Sequence, residues 1–77
     1  MITNIKARAI IKALEQDGFK LKRTTSGSHR VFKHQDGRRI VVAYHHLGET
    51  IPLGTLSSIM KDAGWSDKDL IRLGLKK

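Results

Sequence analysis

The sequence holds no cysteine and one proline, and it sets only seven acidic residues against fifteen Lys and Arg. Without cysteine there is no disulfide framework, no thiolate nucleophile and no Cys-based zinc site. That absence suits a reducing cytoplasm. No stretch approaches the roughly 18 apolar residues of a membrane-crossing helix. The opening residues, Met1-Ile2-Thr3-Asn4-Ile5-Lys6, are amphipathic and lack the apolar run of a signal peptide. A chain of 77 residues is expected to form one domain with a small core, too small for a dinucleotide fold or a large cleft. The shortage of acid leaves a net charge of +8. Such an excess calls for an anionic partner, whether nucleic acid, an acidic surface or an acidic protein.

The charge is unevenly spread. Between Gly18 and Gly48 stand Lys20, Lys22, Arg23, Arg30, Lys33, Arg38 and Arg39, and the one acid is Asp36. All four histidines, His29, His34, His45 and His46, lie in the same stretch. The middle of the chain is a concentrated cation on a less charged frame, which favours nucleic-acid binding.

Hydrophobic spacing predicts the elements. Ala7, Ile10, Ile11 and Leu14 follow the i, i+3, i+4, i+7 stripe of a helix, placed at about 4–17, with Thr3 or Asn4 as cap. Gly18 supplies a left-handed ending, and Phe19 is expected to fold back on Leu14. Residues 19–24 alternate as a half-buried strand around Phe19 and Leu21. A second strand runs over 28–34 and a third over 39–45. Asp36-Gly37 between them suggests a two-residue type I′ turn. Pro52 can open a second helix, with Leu56, Ile59, Met60 and Ala63 on its stripe and the Gly64-Trp65 ending repeating Gly18-Phe19. Thr55 reads as a helix-start residue whose hydroxyl serves backbone donors. Ser66 caps a short third helix with Asp67 and Asp69 in its first turn.

The order α-β-β-β-α plus a short C-terminal helix predicts a two-layer α+β domain. Its three-stranded antiparallel sheet carries helices on one face. Phe32 assigns its side of the second strand to the helices. His29, Val31 and Lys33 then fall on the open face, together with Val41, unless a bulge near Gly27 shifts the register.

Three elements stand in order: Leu14-Glu15-Gln16-Asp17-Gly18-Phe19, then Gly27-Ser28-His29 leading to Phe32, then Gly54-Thr55-Leu56 leading through Ile59 to Ala63-Gly64. Together, over about residues 7–65, they resemble the HicA toxins of toxin–antitoxin pairs. Val42-Ala43-Tyr44-His45 departs from the Val-Pro-x-His that often ends the family's third strand. The resemblance implies a double-stranded-RNA-binding-like fold, a single HicA-like domain over 1–77, a cytoplasmic mRNA endoribonuclease and a HicB-type antitoxin as partner. It maps the family's catalytic histidine onto His29.

The chemistry asks for no metal, because the 2′-hydroxyl of RNA is its own nucleophile. Histidine can take or give the proton near neutral pH, and cations can hold the phosphate. Lys22, Arg23, Ser28, Arg30 and Lys33 are the candidate RNA contacts. His45 is a candidate for supporting the sheet edge, for RNA contact or for the second proton transfer. Adjacent His45 and His46 point to opposite sides and have no completing ligand, so no metal or other cofactor is expected. The alternative is a non-catalytic RNA-binding module that would tolerate loss of His29. A DNA-reading helix-turn-helix over 55–73 is disfavoured, since Asp67 and Asp69 would face phosphate.

Overall fold

A computed structural model describes residues 5–25 and 27–76. The order is α1 (Ala7–Gln16), β1 (Lys20–Thr25), β2 (His29–Lys33), β3 (Arg39–Ala43), α2 (Leu53–Ala63) and α3 (Asp67–Arg72). The strands form one antiparallel sheet in the order β1-β2-β3. The fold is the expected α+β arrangement, with an open three-stranded sheet and the helices on one of its faces.

The core lies between sheet and helices. Ile10 and Leu14 of α1, Phe19, Phe32 of β2, Ile40 and Val42 of β3, and Leu56 and Ile59 of α2 are all but fully buried. Residues 29–33 pair with 43–39 without interruption, so alternation along β2 sends Phe32 to this core and Val31 to the other side.

All three helices end alike. Gly18, Gly64 and Gly74 follow the last turns, and the next residue donates its N–H back to the helix: Phe19 to Leu14 O at 2.9 Å, Trp65 to Met60 O at 3.0 Å, Leu75 to Leu70 O at 2.8 Å. Phe19, Trp65 and Leu75 are each buried in the common core. At Gly18, φ is +99° and His34 Nε2 lies 2.8 Å from where a Cβ would stand, so the site needs glycine twice over.

Helix starts differ from expectation. α1 begins at Ala7, not near residue 4, because Lys6 is extended and bridges to Thr50. Thr3 and Asn4 lie outside the described residues. The first free N–H groups of α1 are taken by a loop instead: Ala7 donates to Glu49 O at 2.8 Å and Arg8 to Leu47 O at 2.9 Å. Pro52 stands one position before α2, with extended ψ of 146°. The Thr55 hydroxyl caps nothing there. Ser66 does cap α3, in a reciprocal box with Asp69.

Two strand expectations are corrected. β1 is exposed along its whole length, and Leu21 is 52% exposed. It is an edge strand, and a bulge between Leu21 and Arg23 breaks its alternation. The β2–β3 turn is not type I′. Gly37 N–H donates to His34 O and His34 N–H to Arg38 O, so the loop has three residues, with Gly37 alone at φ +101°. Asp36 instead accepts from the Arg38 N–H at 3.0 Å and from its Nε at 2.8 Å.

Asp17 ties these pieces together. Its carboxylate accepts from Trp65 Nε1 at 2.9 Å, Arg38 Nη1 at 3.1 Å and Arg72 Nη2 at 3.1 Å. Arg38 also donates to Ala63 O at the end of α2. Burial pushes the Asp17 carboxyl up, but the bonds from Trp65, Arg72 and Arg38 outweigh it and hold it below its ordinary value.

Candidate nucleic-acid interface

Cross-strand partners in an antiparallel sheet share a face, so the register lays out the face that no helix covers. Thr25, His29 and Ala43 form a row at one end. Arg23, Val31 and Val41 form the middle row, and Lys20, Lys33 and Arg39 the other end. The irregularity lies at Lys22 and not near Gly27, so His29 stays on the open face. Val31 lies on that face as expected but is only 3% exposed, because it sits on the central strand between Arg23 and Val41. Val41 is 38% exposed.

The His29 side chain is exposed. Its Nδ1 is 3.5 Å from Ser28 Oγ, and Nε2 has no hydrogen-bond partner among the described residues. A ring nitrogen on a rigid strand, open to solvent and beside a hydroxyl, can exchange a proton with a bound ligand.

Arg30 lies on the opposite side from His29. Its Nη1 donates to Ser28 O at 2.9 Å and Tyr44 O at 2.6 Å, and its guanidinium sits 3.9 Å over the Tyr44 ring. Tyr44 N–H also donates to Ser28 O at 3.0 Å. These bonds fix the backbone beside His29 and beside its partner Ala43. Tyr44 itself is buried.

The structure therefore brings Arg23 and Lys33 onto the face of His29, and Lys22 to the bulge beside it. Ser28 adjoins it, and Arg30 is turned away and engaged. Sequence reasoning missed Lys20 and Arg39 as members of the row with Lys33. Their signal was alternation, which sets Lys20 opposite in face to Leu21 and Arg39 on the side of Val41.

The other histidines differ. His34 Nε2 lies 2.8 Å from Asp17 O and donates to it, while Nδ1 accepts from Asp36 N–H at 3.1 Å. Its ring meets Phe19 edge-on at 5.2 Å, so it joins β2 to the end of α1. The backbone N–H groups of His45 and His46 both donate to Glu49 Oε1, at 2.9 and 3.2 Å, and those bonds lower the Glu49 carboxyl's pKa. Their side chains are exposed. His45 stands two residues beyond Ala43, the partner of His29.

Among the described residues no three His, Asp or Glu side chains gather as metal ligands. None of the described helices is long and apolar enough to cross a membrane.

Comparison with curated proteins gives no match. The family model described as HicA toxin of bacterial toxin-antitoxin matches residues 7–65, which spans α1, the whole sheet and α2 with its Gly64-Trp65 ending. The chain belongs to the HicA toxin family, and it is the toxin of a toxin–antitoxin system.

Proposed function

We propose that this toxin is a cytoplasmic mRNA endoribonuclease of one domain, residues 1–77, that acts through His29 and is held inactive by a HicB-type antitoxin. The observation that carries the reading is the position of His29. It is an exposed imidazole at one end of an uncovered cationic sheet face, with Nε2 unengaged.

Cleavage needs a base to take the 2′-hydroxyl proton and an acid to protonate the departing 5′ oxygen. The 2′ oxygen attacks the adjacent phosphorus, the bond to the 5′ oxygen breaks, and a cyclic phosphate remains. His29 serves one of these transfers, since an imidazole can take or give a proton. His45 is the candidate for the other. Lys22 and Arg23 offset charge on the phosphate oxygens and the Ser28 hydroxyl donates to one of them, while Lys33, four residues along β2 from His29, holds the RNA backbone. Arg30, named with them from sequence, supports the site by holding the Ser28 and Tyr44 carbonyls. No cofactor takes part, so cleavage should persist in EDTA; activity restored only by a divalent ion would refute that.

The deciding test is His29→Ala. Cleavage of RNA should fall by roughly 10²–10⁴-fold. The melting transition and antitoxin binding should hardly move, because truncating an exposed side chain changes stability by about 0.5 kcal/mol or less. Full cleavage by the variant would overturn the assignment and leave a non-catalytic RNA-binding module, or a role for another histidine.

A further inference from the structure

The end of the sheet farthest from His29 is built against itself. Lys33 lies directly opposite Lys20 on one side and Arg39 on the other. Facing like charges on neighbouring strands oppose sheet formation. Nothing in the protein relieves them, since none of the three forms an ion pair among the described residues. Asp36 is committed to Arg38 and Asp17 to Arg38 and Arg72, and Glu15, which lines a recess with Lys20, forms no ion pair with it. At the β1 edge of this end, Lys20, Lys22 and Lys33 line a recess of about 270 Å³ with Gly18 and His34. A local conflict of this kind, in an otherwise consistent sheet, is the mark of a surface made for a ligand.

We propose that the Lys20–Lys33–Arg39 row is a second phosphate site, which grips the backbone of single-stranded RNA at a distance from the phosphate attacked at His29. The inference rests on the RNA-cleaving reading above and extends it. Four residues of β2 separate His29 from Lys33, about 13 Å at roughly 3.3 Å per residue. A strand lying along β2 meets His29 at one end and three cations at the other. Between them it crosses the middle row, where Val31 is covered, Arg23 adds a cation and the exposed Val41 offers an apolar contact. The ligand is a polyanion, because Arg39 stands across β2 from the recess that Lys20, Lys22 and Lys33 line and is not part of it. The row thus sets a minimum length for tight binding.

The test uses the His29→Ala chain, which binds without turnover, and labelled single-stranded oligoribonucleotides from a dinucleotide upward, titrated at several salt concentrations. Affinity should climb with length until the strand spans both ends. Adding Lys20→Gln and Arg39→Gln should remove that gain. The double change should also make the slope of log K against log salt shallower by about 1.4, at roughly 0.7 per phosphate contact. Without RNA the double variant should melt no lower than its parent, since a repulsion is removed. If it does not fold, each single variant should make the slope shallower by about 0.7.

Unchanged slope and length dependence in the variants overturn the distal site, even if the wild type cleaves RNA. A chain that binds with the stated slope and length dependence but never cleaves keeps the distal site and removes the nuclease reading. Loss of antitoxin binding with an unchanged RNA slope overturns the proposal and gives the row to a protein. No binding of RNA at all overturns it as well.

Discussion

Asp17→Ala tests the network that joins α1, the hairpin, α2 and α3. The carboxylate is 13% exposed and accepts from three side chains on three other segments. Trp65 is 8% exposed, so its indole N–H would lose its acceptor in a dry place, a cost of about 1–3 kcal/mol. Arg38 keeps Asp36 and the Ala63 carbonyl and adds about 0.5 kcal/mol, and Arg72 is half-exposed and keeps Asp69. The sum is about 1.5–3.5 kcal/mol. A chain of this size is stable by only about 4–12 kcal/mol, and the melting temperature should drop by about 10–25 °C. Asp17→Asn keeps an oxygen for Trp65 and should lose about half as much. The pH dependence has a definite sign. The folded carboxyl lies below its unfolded value of 3.8. Its stabilisation is complete above that value and is lost as pH falls through it toward the folded one. Asp36, Glu49 and Asp69 are lowered too and add slopes of the same sign. Asp17→Asn should therefore flatten the acid limb of the stability curve without abolishing it. Urea unfolding at neutral and acid pH measures both effects. A neutral-pH loss under about 1 kcal/mol for Asp17→Ala would refute the network as a source of stability.

Gly18→Ala should cost about 2–3 kcal/mol, for the left-handed backbone and the displaced His34 bond, while Gly64→Ala, with open space around it, should cost about 1; equal losses in chemical denaturation would show that the His34 contact is immaterial. Arg30→Met should lower stability by about 2–3 kcal/mol and slow RNA cleavage with an unchanged salt slope. A slope shallower by about 0.7 would instead give Arg30 a phosphate contact. With five outward cations engaged, wild-type affinity for single-stranded RNA should fall with a log–log salt slope of about −3.5. A slope near zero in a filter-binding titration would remove the sheet face from RNA recognition.

The elements and their order were legible because glycine endings and apolar stripes are local. Gly18-Phe19 and Gly64-Trp65 each state a helix end and name the residue that closes it. The edges were less legible, since long-range partners decide them. Lys6 leaves the helix to pair with Thr50, and Leu21 is exposed on an edge strand beside a bulge. The turn error mattered most for the site. A two-residue loop at Asp36-Gly37 would set Lys33 opposite Ile40, whereas the three-residue loop sets it opposite Arg39. One residue of slip exchanges the two faces of a strand, so only the three-residue loop agrees with Val41, and with it Arg39, lying on the open face. His29 was placed correctly because its face follows from Phe32 on the same strand, with no turn between them.

The net charge of +8 also divides in a way that composition does not show. Of the seven cations between residues 18 and 48, Arg30 and Arg38 face inward and are half-buried. Each binds at least two internal acceptors and lies over an aromatic ring. The planar guanidinium suits such multiple acceptance and stacking. Lys20, Lys22, Arg23, Lys33 and Arg39 are exposed and form no ion pair among the described residues. The inward arginines brace the two ends of the sheet, Arg30 beside His29 and Arg38 at the hairpin. The outward five give that braced surface its field. On the proposed reading, a partner that quenches the toxin through this face meets these cations along β2 with His29 at their end, and an acidic strip complements that surface.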